Sequence, residues 1–160
     1  MVFLPPFSSK IIKEHINKEV QEQIAGFDLT VRKIFEIGND GVLDFDNSKR
    51  NIPEHKEISL REDFWELEAG GYLAQYNEIV EVPLNAIGLV FPRSSLMRCG
   101  GTLCSAVWDP GYKGRGVGLM IVYTKIKLYK NARIAQIIFL KTEKQLEKGY
   151  EGDYQHENIE

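Results

Sequence analysis

Four short stretches of this 160-residue chain carry side chains fit for chemistry. In Pro92-Arg93-Ser94-Ser95-Leu96-Met97-Arg98-Cys99-Gly100, a serine pair leads into a short helical stretch stopped by Gly100. The N–H groups at such a start, two hydroxyls and the Arg93 guanidinium together form an anion cradle; alternatively, Ser94 caps the helix and Arg93 is a surface residue. In Ala106-Val107-Trp108-Asp109-Pro110-Gly111-Tyr112-Lys113-Gly114, Asp-Pro-Gly marks a tight turn between strands. Asp109 is nevertheless the only acidic residue between positions 92 and 140, and a lone carboxylate in a basic block suits a general base beside a phosphate. In Arg133-Ile134-Ala135-Gln136-Ile137-Ile138-Phe139-Leu140, strand alternation puts Gln136 on the face of Ile134, Ile138 and Leu140. A buried amide there needs a partner, either neighbouring backbone or a ligand. The fourth stretch, Ala25-Gly26-Phe27-Asp28-Leu29, holds a carboxylate that reads by itself as a turn or capping residue.

The charge distribution agrees with an anionic ligand. Residues 1–91 carry 9 Lys/Arg against 16 Asp/Glu, residues 92–140 carry 8 against 1, and residues 141–160 carry 3 against 6. A net charge of −3 disfavours general nucleic-acid binding, which needs a long-range positive field, whereas a local basic pocket suits a small phosphorylated molecule. Cys99 and Cys104 are the only cysteines, too few and wrongly spaced for zinc. With no basic flank or cleavage site at the N-terminus they read as reduced thiols of a cytoplasmic protein. No apolar run approaches the ~20 residues of a membrane helix.

The elements that must position these residues are mostly strands. Ser8 and Ser9 precede Ile11, Ile12, Ile16 and Val20, a spacing that predicts one amphipathic helix over 9–23. Extended segments are expected at 27–37, from the Gly38-Asn39-Asp40-Gly41 turn to 46, and at 58–67, 72–76, 78–82, 87–91, 102–108, 115–123 and 133–140, with a polar loop at 47–57. Many short strands punctuated by Gly and Pro predict an all-β sandwich or barrel with one N-terminal helix. The chain divides into a single domain, 1–147, and a polar tail, 148–160, expected to be mobile.

Taken together, Ala-Gly-Phe-Asp-Leu, Pro-Arg-Ser-Ser-Leu, Asp-Pro-Gly-Tyr-Lys-Gly and Arg-Ile-Ala-Gln, in this order, resemble the motifs of the dUTP diphosphatase and dCTP deaminase superfamily. The stretch Leu67 to Pro83 is similar to the strand pair of its deaminase-like branch. The resemblance implies a distorted jelly-roll assembled as a homotrimer with shared active sites, and a Mg²⁺ ion bound mainly through the nucleotide phosphates. Deaminase members hold a glutamate ten positions past the hairpin aspartate; here that position is Leu119, and Gly114 to Tyr123 contains no acid. The resemblance therefore implies hydrolysis of dUTP to dUMP and pyrophosphate, the alternatives being a dCTP deaminase, a bifunctional enzyme, or a catalytically silent deoxynucleotide-binding domain. By the same resemblance Asp109 activates water, Tyr112 packs under the deoxyribose, Arg93, Ser94 and Ser95 contact the triphosphate, Asp28 orients Mg²⁺-bound water and Gln136 reaches a phosphate. The hairpin backbone around Thr102 to Val107 reads the base. The tail, with Tyr150 and Gln155, is closer to the tyrosine-glutamine tail of the deaminase branch, and both residues are candidates for substrate contact.

Overall fold

The computed structural model describes residues 1–7 and 10–159. In chain order the elements are β1 (Val2–Phe3), β2 (Ile12–Lys13), α1 (Lys18–Gln21), β3 (Phe27–Glu36), β4 (Lys56–Glu57), β5 (Phe64–Leu67), β6 (Gly70–Tyr76), β7 (Ile79–Glu81), β8 (Ala86–Pro92), α2 (Ser94–Arg98), β9 (Gly101–Cys104), β10 (Lys113–Gly114), β11 (Val117–Val122), β12 (Ile126–Tyr129) and β13 (Arg133–Lys141). All pairings are antiparallel. The main sheet runs β1-β13-β3-β6-β11-β9, with β8 also on β13 and β4 on β3, and two small sheets, β10-β7-β2 and β12-β5, complete the curl. The result is the expected all-β, distorted jelly-roll architecture.

Strand β3 makes the curl possible. Its first half pairs with β13, Phe27 opposite Ile137 and Leu29 opposite Ala135, and its second half pairs with β6, Ile34 opposite Ala74, after a register shift between Val31 and Lys33. Such irregularities bend a strand and let it serve two sheets. Buried on both faces, Phe27 to Val31 join Phe7, Tyr76, Met120, Ile137 and Phe139 in one core. Truncating a residue such as Phe27 to Ala would cost about 3–5 kcal/mol. Two polar residues in that buried run need partners. Thr30 donates to Glu78 through its amide at 3.0 Å and its hydroxyl at 2.6 Å. The Gln21 amide donates to the same carboxylate at 2.7 Å, which ties α1 to the barrel. The other polar residue, Asp28, belongs to the candidate site.

Several expected elements differ. The helix expected over 9–23 is one turn, Lys18–Gln21, capped by the Asn17 side chain; Ser8 and Ser9, expected as its cap, lie outside the described residues. Glu14 at φ 54 interrupts the run, Ile12 is drawn into a strand opposite Val80, and Ile16 and Val20 stay exposed, so the four apolar positions never share a face. From 41 to 46 there is only a bridge, Val42 to Asn51, and Leu43 and Phe45 point outward. Strand β4 falls inside the expected 47–57 loop, the expected segments do not include β12, β9 stops at Cys104, and only residues 64–67 of the 58–67 segment form a strand. Residues 148–159, expected as a mobile tail, lie folded over the hairpin that contains Asp109. Among the described residues no helix is long and apolar enough to cross a membrane.

Candidate active site

Two clusters emerge, at different places on the chain's surface. The first is built where β3, β8 and β13 meet. Asp28, only 1% exposed, stands opposite Gln136, and one carboxylate oxygen, Oδ2, receives both Arg93 Nε at 3.0 Å and Arg133 Nη1 at 3.2 Å. Burial pushes the Asp28 carboxyl up, against the lowering pull of the two guanidiniums. One buried negative charge thus holds two positive ones, and the cluster keeps a net positive charge for an anion. Strand β8 delivers Arg93 to this place and ends there, with the Arg93 amide on the Ile134 carbonyl at 2.9 Å.

Helix α2 begins immediately afterwards. Its N-cap is Arg93, with no side-chain capping bond, so the capping alternative for Ser94 does not hold. Ser94 and Ser95 are exposed, and no hydrogen bond engages either hydroxyl among the described residues. Gly100, at φ 81, ends the turn. Gln136 differs from expectation: a register shift between Arg133 and Ala135 turns Ile134 inward, and the deep face is Ala135, Ile137 and Phe139. Gln136 is therefore half-exposed beside Phe91 and Asp28, and its amide is not a buried one that demands a partner.

The second cluster is a cavity of about 770 Å³ under the Asp-Pro-Gly hairpin. Asp109 and Tyr112 line it together with Trp108, Gln75 and His55. The turn is closed by backbone, Tyr112 N–H to the Asp109 carbonyl at 3.0 Å and Gly111 N–H to the Val82 carbonyl at 2.9 Å. Gly111 takes φ 81. The Asp109 carboxylate is left exposed and makes no hydrogen bond or ion pair among the described residues. That is the state a proton acceptor requires and a turn-capping aspartate lacks.

Tyr112 is buried, with its ring edge-on to Trp108 at 5.2 Å and to Tyr150 at 6.0 Å. Its hydroxyl donates to Glu157 Oε1 at 2.7 Å. Burial pushes the phenol pKa up, and the nearby carboxylate adds to that. Burial also pushes Glu157 up, against the lowering hydrogen bond from Tyr112. The tail is pinned by more than this contact. Tyr150 N–H donates to the Pro110 carbonyl at 2.8 Å. The Gln155 amide donates to the Gly111 carbonyl at 2.9 Å and its oxygen accepts from Lys113 N–H at 2.8 Å. Of the two tail candidates, Tyr150 forms a wall of the cavity, whereas Gln155 does not line it and instead clamps the turn through Gly111 and Lys113.

Sequence reasoning missed Glu157, Gln75, His55 and Trp108. The first sits in a polar tail without a motif, and the others are scattered over three elements with nothing in their spacing to join them. Of the expected residues, Asp109, Tyr112 and Tyr150 line the cavity, whereas Arg93, Ser94, Ser95, Asp28 and Gln136 do not. A single chain does not bring the two groups into one pocket. Strand β11 carries Leu119 where an acid would serve deamination, paired with Leu73 and Cys104. No cluster of three or more His, Cys, Asp or Glu is placed to hold a metal among the described residues. Asp28, the one acid of the arginine cluster, is engaged by both guanidiniums.

The sequence pattern of the dCTP deaminase-like family matches residues 8–142. The deoxyuridine 5'-triphosphate nucleotidohydrolase of Methanocaldococcus jannaschii is 45% identical over 139 residues, covering 86% of this chain and 88% of that protein. A probable deoxyuridine 5'-triphosphate nucleotidohydrolase of Methanosarcina mazei is 43% identical over 151 residues, covering 92% and 88%. Among solved structures, the 2'-deoxycytidine 5'-triphosphate deaminase of Agrobacterium tumefaciens matches with a TM-score of 0.59 at 22% identity, over 83% of this chain and 44% of that one. This chain thus spans less than half of that deaminase. The native dUTPase of EIAV matches with a TM-score of 0.50 at 18% identity, over 92% and 95%. At such identities the two structures speak for the fold alone.

Proposed function

The chain belongs to the dCTP deaminase-like family, and we propose that within it this protein hydrolyses dUTP to dUMP and pyrophosphate. The relatives that share over 40% of its residues bear that activity in their names. The observation that carries the choice between the family's two chemistries is β11: Leu119, between Leu73 and Cys104, offers no proton carrier for attack at C4 of cytosine. Hydrolysis needs only a base beside a phosphate, and Asp109 has its carboxylate free.

In this reading Asp109 takes a proton from water as the water oxygen bonds to the α-phosphorus. The bond to the α–β bridging oxygen breaks and pyrophosphate leaves. Arg93, Ser94 and Ser95 hold the triphosphate and stabilise the charge that develops on the leaving group. Asp28 acts through Arg93 and Arg133, as a positioning residue that keeps both guanidiniums aimed, and Gln136 reaches a phosphate from the next strand. Tyr112 packs under the deoxyribose, with Tyr150 behind it. Mg²⁺ carried on the triphosphate oxygens supplies charge neutralisation. The arginine-serine cluster does not line the Asp109 cavity, which supports a complete site that combines the cluster of one chain with the cavity of another, in the homotrimer that the sequence resemblance implies.

Incubating the purified protein with dUTP or dCTP and Mg²⁺, and identifying the products, tests the proposal. dUMP and pyrophosphate are expected from dUTP, and no deaminated product from dCTP. Absence of pyrophosphate from dUTP sinks the hydrolase reading, and dUTP or dUMP formed from dCTP restores the deaminase.

A further inference from the structure

Behind the arginine cluster lies a buried polar support that the scheme leaves unused. Helix α1 is a single turn, and a helix so short has no stability of its own. Gln21 is its one buried residue, and that side chain is fully committed. Its Nε2 donates to the Asp28 carbonyl at 2.9 Å and to Glu78 Oε1 at 2.7 Å, while its Oε1 accepts the Asn17 N–H at 2.9 Å. Glu78 is completely buried and also receives the Thr30 N–H and hydroxyl; among the described residues no ion pair engages it. Burial pushes its carboxyl up, against the pull of those hydrogen bonds. A buried carboxylate without a counter-ion costs the fold solvation that hydrogen bonds only partly return. What it supplies is orientation. Strand β6 reaches β3 only from Val31 onward, so at Asp28 and Thr30 the Gln21 amide and the Glu78 carboxylate stand where a neighbouring strand would. The next residue back from Gln21, Val20, offers its carbonyl to Arg133 Nη1 at 2.9 Å.

We infer that Gln21 and Glu78 are positioning residues for triphosphate binding: Glu78 fixes the Gln21 amide, and Gln21 sets the place of the Asp28 main chain and of the α1 carbonyl that grips Arg133. The inference rests on the reading of this cluster as the triphosphate site. Asp28 Oδ2 is the common partner of Arg93 and Arg133, so whatever places Asp28 aims both guanidiniums. Arg133 is held from two sides, by the Asp28 carboxylate and by Val20, and both of those supports lead back to Gln21. Guanidiniums fixed before the ligand arrives lose less rotamer freedom when it binds. Neither Gln21 nor Glu78 touches the substrate; they act through Asp28 and Arg133. Ser94, Ser95 and Gln136 do not depend on them, so loss of the support weakens triphosphate binding without abolishing it.

The test compares wild type, Gln21→Met, Glu78→Gln and, as a control that weakens the fold elsewhere, Leu128→Ala in the separate β12-β5 sheet. Each is measured for affinity to the α,β-imido analogue of dUTP and to dUMP, both with Mg²⁺, with melting temperature recorded and dUTP hydrolysis followed separately. dUMP shares the base, the sugar and the α-phosphate but lacks the two outer phosphates. Gln21→Met keeps the length of the side chain, breaks all three of its bonds, and should cut the analogue-over-dUMP affinity ratio about tenfold. Glu78→Gln keeps the shape and should cut the ratio about fivefold. Leu128→Ala should lower the melting temperature and leave the ratio unchanged. A brace with a structural role alone would weaken both ligands together, so a ratio that falls less than threefold in Gln21→Met overturns the inference. Should that variant fail to fold, the same limit is applied to Glu78→Gln, and failure of both to fold marks the pair as structural and overturns it as well. Binding of the analogue by wild type without hydrolysis of dUTP would refute the hydrolase reading while leaving the role of Gln21 to be judged on the affinity ratio.

Discussion

Replacing Asp109 by Asn separates chemistry from architecture at the residue on which the mechanism turns. The carboxylate has no partner, and the turn is closed by main chain, Tyr112 N–H to the Asp109 carbonyl and Gly111 N–H to the Val82 carbonyl. Loss of the charge touches no contact of the fold. The stability change should stay within about 0.5 kcal/mol, which for a chain of this size shifts the melting temperature by less than about 2 °C. Asn keeps the shape and one acceptor but cannot take the proton from water. Positioned bases contribute roughly 10² to 10⁴-fold, or about 2.7–5.4 kcal/mol at 1.36 kcal/mol per decade. Affinity should move the other way if it moves at all, since a carboxylate about 4 Å from a phosphate repels it by about 1 kcal/mol in a wet site. Steady-state kcat on dUTP, analogue affinity and melting temperature are measured on the same variant. A kcat within threefold of wild type removes Asp109 from the reaction. A melting point more than about 5 °C lower, with binding and turnover falling together, would show that the turn uses the carboxylate after all.

Asp28→Asn strips the shared partner from two guanidiniums. Because Arg93 and Arg133 are partly solvated, we expect a loss of about 1–3 kcal/mol rather than the larger cost of a fully buried pair, visible in melting, together with a raised KM for dUTP. Tyr112→Phe keeps the ring but abandons Glu157, which should loosen the tail by about 1 kcal/mol; proteolysis within 150–159 should quicken about fivefold while the preference for dUTP over UTP persists. Glu157 also gives docking of the tail a pH dependence. Its pKa is raised in the docked state, so its stabilising contribution is full below the ordinary glutamate range and is lost as pH rises through the raised value. Amide exchange of residues 150–159 should therefore speed up with pH beyond its intrinsic rise, and Glu157→Gln should abolish the excess. Gly111→Ala would place a methyl 2.5 Å from Gly149 Cα in a backbone with φ 81, so both the turn and the tail contact should fail, read as a cooperative loss of melting temperature and activity.

The parts of the fold legible in the sequence are those where local pattern and burial agree. β3, β8 and β13 show long apolar runs, and their observed limits fall within one residue of expectation. The N-terminal helix misled because Ile11, Ile12, Ile16 and Val20 have helical spacing, yet pairing of Ile12 with Val80 draws the chain into a sheet edge. Tertiary pairing overrides a weak local period. β12 was hidden by Lys127, which separates Ile126 from Leu128, and by Lys125 and Lys130 on either side of the strand. For the site, Asp109 stood out by charge isolation within a turn, whereas Tyr112 was marked only by the family resemblance. The role of Asp28 as a double arginine partner could not be read from a segment in which it resembles a turn residue, since its partners lie 65 and 105 positions away. Gln75 and His55 are illegible for the same reason: they meet at the cavity wall from β6 and from a loop, and that meeting exists only in three dimensions.

The wall of the cavity also gives the protein a built-in optical gauge. Of its two tryptophans, Trp65 is buried away from the site, its indole N–H on the Ile58 carbonyl at 2.9 Å. Trp108 is wedged between Tyr76 and Tyr112, and Gly116 lies so close that a Cβ there would sit 2.5 Å from the indole ring. An indole held this tightly, with one edge on the cavity, should have a narrow emission band and little rotational depolarisation. Its quantum yield would respond to whatever occupies the cavity and to the carboxylates that come and go with the tail. Replacing Trp65 by Phe would leave one emitter, able to follow nucleotide entry and tail release in real time without a label, at the place where both events meet.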